Sequence, residues 1–81
     1  MAGNNEKYKS AFVEALAIDE STDFNNLEYN SIEEWDSLGH MALVAELEDC
    51  FSITMETDDI VELSSFSKGQ EILQKYGVSF D

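Results

Sequence analysis

A serine that follows an aspartate at the start of an amphipathic segment is where this chain offers chemistry. In Glu34-Trp35-Asp36-Ser37-Leu38-Gly39-His40-Met41, Asp36 is a favourable N-cap. Its carboxylate accepts from the free backbone N–H groups of a first helical turn and opposes the positive end of the helix dipole. Ser37 then takes the first helical position, with its hydroxyl outward beside donors that favour an anion, so a phosphate joined to it is well placed. Trp35 and His40 fall at the two positions of a hydrophobic staple, which sets the angle at which the loop enters the helix.

Other reactive groupings are weak. His40, the single histidine, lies three residues beyond Ser37, a spacing that brings the two side chains near one another. No Gly-x-Ser-x-Gly elbow accompanies the pair, and a small helical domain leaves little room for a substrate cleft, so His40 is read as a structural or surface residue beside Trp35. Glu56, Asp58, Asp59 and Glu62 are dense in acid but lack the EF-hand spacing with its central glycine and final glutamate. Diffuse counterion binding is expected there, and no specific metal site. Cys50 is the one cysteine, which excludes an intramolecular disulfide and a Cys-based zinc cluster. It is read as a small packing residue near a helix end.

The elements that must hold Ser37 in place follow from periodicity. Tyr8, Phe12, Ala15 and Leu16 recur at helical spacing and predict a first helix from about Asn5 to Ile18, capped by Asn4 or Asn5. The stretch 19–34 has no sustained period and is rich in Asn, Ser, Asp and Glu. It reads as a long loop pinned to the core by Phe24, Leu27, Tyr29 and Ile32. A second helix runs from Ser37 to Phe51, with Leu43, Val44, Leu47 and Phe51 inward. Leu38, Met41, Ala45 and Glu48 share another side, which mixes apolar and acidic groups. Ile53 is expected to pack inward after it. Thr57 caps a short third helix through Leu63, with Ile60 and Val61 as apolar contacts. Ser65 caps a fourth from Phe66 to about Tyr76, stopped by Gly77. Gly69 inside this helix costs up to about 1 kcal/mol relative to alanine. The expectation is an all-α, four-helix bundle in one domain, 1–81, with the ends 1–4 and 78–81 frayed.

Charge bounds the partners. Eighteen acids stand against four lysines and no arginine, a net charge of −14 over 81 residues. The bases, Lys7, Lys9, Lys68 and Lys75, lie near the ends, and the segment from Ser10 to Ser67 holds acids alone. Nucleic acid and anionic membranes need positive charge facing their phosphates, so neither is an expected partner. Basic protein surfaces are, through electrostatic steering. The N-terminus carries no apolar run of signal-peptide type, and no stretch approaches a membrane span. A cytoplasmic monomer is the expectation.

Asp36-Ser37-Leu38, followed by Met41-Ala42-Leu43-Val44-Ala45-Glu46-Leu47-Glu48-Asp49 and Phe51, resembles the prosthetic-group site and second helix of an acyl carrier protein. The mid-chain position, the domain size, the acidity and the long first loop agree with that family across nearly the whole chain. The resemblance implies a stand-alone carrier that is itself not an enzyme. In it Ser37 is esterified by 4′-phosphopantetheine from coenzyme A, with a phosphopantetheinyl transferase and Mg²⁺, and Asp36 lends charge beside the reacting phosphate. The arm's thiol then holds an acyl group as a thioester, as in fatty acid biosynthesis and other lipid metabolism. Acyl-loading and acyl-transferring enzymes with basic patches would dock on Leu38, Met41, Ala45, Glu48, Glu56, Asp58 and Asp59. Trp35 before Asp36, Gly39-His40 after Leu38 and the absence of proline before the third helix depart from the housekeeping pattern. They point to a specialised lipid, polysaccharide or secondary-metabolite pathway. An aminoacyl or peptidyl carrier is the alternative within the family. Outside it, the alternative is an unmodified acidic helical module that binds a basic partner helix through Leu38 and Met41.

Overall fold

Four helices and one 3₁₀ turn make up the computed structural model, which describes residues 3–80; Met1, Ala2 and Asp81, and whatever fraying was expected of them, lie outside the described residues. The helices are α1 (Asn4–Leu16), α2 (Ser37–Phe51), the short α3 (Thr57–Glu62) and α4 (Phe66–Gln74), and the turn is Phe24–Asn26. Among the described residues no strand forms; a single antiparallel bridge joins Glu28 to Ser65. None of the described helices is long and apolar enough to cross a membrane.

The principal pairing is α1 against α2, and the 3₁₀ turn rests on α4. Tyr8, Ala11, Phe12 and Leu16 supply the buried stripe of α1, and Leu43, Val44 and Leu47 that of α2. Both sets repeat at three and four residues, the spacing that puts side chains on one helical face. An aromatic cluster fills the centre. The Phe12 ring lies 5.0 Å from Phe66 and 5.4 Å from Trp35, and Tyr8 lies 4.6 Å from Phe66. Such edge-to-face and tilted pairs add to the burial of apolar area. The Tyr8 hydroxyl is satisfied inside this cluster by donating to the Phe66 carbonyl at 2.6 Å.

Several boundaries differ from the periodicity reading. Gly3, in extended conformation, is the N-cap of α1, and no side chain caps that end. The Asn4 amide instead donates to the Ser79 carbonyl at 2.8 Å, which ties the start of the chain to its end. At 78–80, where the sequence suggested a frayed end, Val78 is buried and the Phe80 ring packs 5.2 Å from Tyr8 and 6.3 Å from Phe51. Helix α1 stops at Leu16 because Ala17 turns left-handed, at φ 54°. Glu56 rather than Thr57 is the N-cap of α3, without a side-chain bond. Phe24 and Leu27 are buried anchors of the loop, whereas Tyr29 lies partly in solvent and Ile32 is half-buried. Phe51 and Ile53 are also half-buried. Ser65 does cap α4, accepting from Lys68 N–H at 3.0 Å.

Gly69 is a packing requirement. A Cβ there would lie 2.0 Å from the Tyr8 hydroxyl and 2.8 Å from Leu63 Cδ1, so glycine lets the phenol reach the α4 backbone. The propensity cost expected of it is outweighed by that close approach.

Candidate functional site around Ser37

Asp36 sits in extended conformation and its Oδ1 accepts from Gly39 N–H at 2.9 Å. One of the free donors of the first turn is thereby satisfied by a side chain on the helix axis. Ser37 follows as the first residue of α2, exposed, with Oγ 3.2 Å from the Tyr29 hydroxyl.

The loop is locked to α2 at the next turn. Trp35 is buried and its indole N–H donates to His40 Nδ1 at 3.0 Å, the two ring planes 16° apart and their centroids 6.3 Å apart, so the rings lie side by side. Indole N–H is donor only, so Nδ1 accepts; the neutral ring then carries its proton on Nε2, which donates to the Ile60 carbonyl at 2.8 Å. The staple positions foreseen for Trp35 and His40 thus close as a polar bridge from the loop through α2 to α3. Gly39 allows the close crossing: a Cβ there would stand 2.1 Å from the Glu34 carbonyl oxygen and 3.0 Å from Leu16 Cδ2.

Ser37 lines a cleft of about 340 Å³ together with Tyr29, His40, Met41, Ile60, Val61, Leu63 and Ser64. Its lining is mostly apolar, a usual property of ligand sites. Of the cleft residues, Met41 is 56% and Val61 76% exposed, and Leu38, next to Ser37 in the chain, is 83% exposed. Val61 is therefore an outward residue rather than the core contact expected of it, and Ile60 is half-buried. Ala45 is exposed one turn beyond Met41.

The acids expected on one face divide into two groups. Glu56 and Asp58 are exposed at the start of α3. Glu48 is half-buried and its Oε2 accepts from Met55 N–H at 2.8 Å, so it braces the α2–α3 connection. Asp59 is only 5% exposed and leaves the outer face altogether. Its carboxylate accepts from Lys75 Nζ and from the Tyr76 hydroxyl, and that hydroxyl in turn accepts from Glu56 N–H at 2.9 Å. The Lys75 bond first, and then Tyr76, hold the Asp59 carboxyl below the ordinary carboxylate range. The same contact raises the Lys75 ammonium and the Tyr76 phenol. This network fastens α3 to the end of α4 and has no free charge to offer a partner.

Cys50 is exposed rather than packed, and desolvation together with the charges of Glu46 and Asp49 pushes its thiol up, away from the nucleophilic form. No group of three metal-ligating side chains converges among the described residues.

Tyr29 and Val61 were not picked out by sequence as neighbours of Ser37. Tyr29 reads only as an apolar anchor, and its place beside Ser37 depends on the loop path: Tyr29 N–H donates to the Ser64 carbonyl at 2.9 Å, and Asn30 N–H to the Trp35 carbonyl at 3.0 Å. Set against protein-family profiles, curated proteins and solved structures, the chain matches none.

Proposed function

We propose that this chain is a carrier domain of the acyl carrier type, holding acyl intermediates as thioesters on a 4′-phosphopantetheine arm at Ser37. The observation that carries the reading is the setting of that hydroxyl: exposed, first in α2, beside an aspartate cap and at the mouth of an apolar cleft. The residues fit the group. Ser37 Oγ is the attachment atom, the free N–H donors of the first turn and the helix dipole favour the added negative charge, and Met41, Ile60 and Val61 give apolar surface for what is attached. When bound, the arm supplies a terminal thiol that activates the cargo as a thioester.

The arrangement of His40 argues for a carrier over a hydrolase. Both ring nitrogens are taken, one by Trp35 and one by the Ile60 carbonyl, so neither is aimed at Ser37 as a general base. Leu38, Met41, Ala45 and Val61 form the apolar part of a docking face, and Glu56 and Asp58 its acidic part. Asp59 and Glu48 serve instead to hold the face in shape. With a net charge of −14, encounter with phosphopantetheinyl transferase and with acyl-loading or acyl-transferring enzymes is steered by their basic patches. A flexible arm then delivers the thioester at high effective concentration. The test is covalent loading of the wild type from coenzyme A by a phosphopantetheinyl transferase, with Ser37→Ala as the control.

A further inference from the structure

Tyr29 is the one side chain hydrogen-bonded to Ser37 Oγ among the described residues, at 3.2 Å. It is held there from three directions. Its backbone N–H is bound to the Ser64 carbonyl at 2.9 Å. Its ring stands edge-on to His40 at 5.4 Å and to Trp35 at 6.3 Å, interplanar angles 81° and 85°. Those two rings are themselves joined by the Trp35–His40 bond. The phenol is thus a preset group on the wall of the cleft, hydrogen-bonded to Ser37 Oγ, in a lining that it shares with Met41 and Val61.

We infer that Tyr29 is the positioning residue for the group carried at Ser37, with its O–H donating to a non-bridging phosphodiester oxygen. This rests on the carrier reading. In the unmodified chain either hydroxyl can donate. Once Oγ is an ester oxygen, Ser37 has no proton to give and little lone-pair basicity to offer, whereas the phosphodiester beside it presents anionic oxygens. The Tyr29 O–H therefore turns to a charged acceptor, a shorter and stronger bond than a neutral one. With its phosphodiester held there, the arm would start along the apolar lining that Met41 and Val61 contribute to the cleft. Tyr29 is a positioning residue and not a catalytic one, because it acts on orientation and exchanges no proton with the reacting thioester.

The experiment compares wild type and Tyr29→Phe, both loaded from coenzyme A, by intact mass, ³¹P NMR and nuclear Overhauser contacts. Phenylalanine keeps the ring packed on Trp35 and His40, and melting of the unloaded proteins reports whether the fold is retained. Once each protein carries the group, the expected result is a displaced phosphodiester ³¹P resonance in Tyr29→Phe. Contacts from the arm's methyl groups to Met41 and Val61 should be present in the wild type and lost in the variant. Equal loading with identical ³¹P shifts and identical contacts overturns the role of Tyr29 and leaves the carrier reading standing. A folded wild type that gains no mass overturns both.

Discussion

The indole N–H of Trp35 and the carbonyl of Ile60 are held by the two nitrogens of a single ring, His40, at 3.0 and 2.8 Å. One residue of α2 thereby joins the incoming loop to α3 and fixes the two walls between which the Ser37 cleft opens. His40→Phe conserves an aromatic ring but strands the buried Trp35 N–H. An unsatisfied buried donor costs about 1–3 kcal/mol, and the urea midpoint, followed by tryptophan fluorescence, should fall accordingly. An unchanged midpoint would show that the bridge contributes nothing to the fold.

The Asp59–Lys75–Tyr76 network predicts a pH-dependent difference between wild type and Asp59→Asn. The Asp59 carboxyl is held below its ordinary value of 3.8, mainly by the bond from Lys75, so its contribution is present above that pH and is lost as pH falls through the lower folded value. Lys75 is raised above 10.5 and Tyr76 above 10.0, each chiefly by its bond to Asp59. Their contributions are complete below those values and are lost as pH rises through the raised ones. The stability gap between the two proteins, measured by urea unfolding, should be widest at neutral pH and narrow at both extremes. A gap that stays constant across the titration would contradict the network.

Glycine at 39 and 69 is predicted to be stabilising in this fold against the ordinary helix scale. Alanine is the better helix former by about 1 kcal/mol, yet at Gly39 its Cβ would meet the Glu34 carbonyl oxygen at 2.1 Å and at Gly69 the Tyr8 hydroxyl at 2.0 Å. Overpacking of this kind costs about 1–3 kcal/mol. Gly39→Ala and Gly69→Ala should each lower the melting temperature, and a rise in either would refute the close approach.

Ser52 ends α2 in the left-handed region at φ 54°, and its N–H bonds the Glu48 carbonyl. A non-glycine residue pays about 1 kcal/mol for that conformation. Ser52→Gly should therefore raise the melting temperature by about 4–8 °C, without any change in loading at the distant Ser37. A lower melting temperature would mean that the side chain contributes more than the backbone strain removes.

Local chemistry was legible in the sequence, and long-range partnership was not. The Asp36 cap, the start of α2 at Ser37 and the Ser65 cap follow from residues within three positions of one another, and α2 runs over the predicted 37–51. Asp59 looked like one more member of an acidic run, because its partners Lys75 and Tyr76 stand 16 and 17 residues away. Gly39 and Gly69 showed only as a departure from a pattern and as a propensity cost, since the atoms that require them, in Glu34 and Tyr8, approach only in the folded chain. Tyr29 is brought to Ser37 by a loop whose path is set by bonds to Ser64 and Trp35, which no periodicity encodes. At the C-terminal end Val78 is buried and the Phe80 ring packs against Tyr8 and Phe51, contacts between residues far apart in the chain that no local pattern encodes.

Covalent loading at Ser37 separates a carrier domain from an unmodified interaction module. Purified wild type and Ser37→Ala, both shown to be folded by circular dichroism, are incubated with coenzyme A, Mg²⁺ and a broad-specificity phosphopantetheinyl transferase, and with the host's own transferase in parallel, and intact masses are recorded. The expected result is a gain of one phosphopantetheinyl group in the wild type and none in Ser37→Ala. No gain in the wild type with either enzyme, or an equal gain in both proteins, would contradict it, and the first of these would favour an unmodified acidic interaction module.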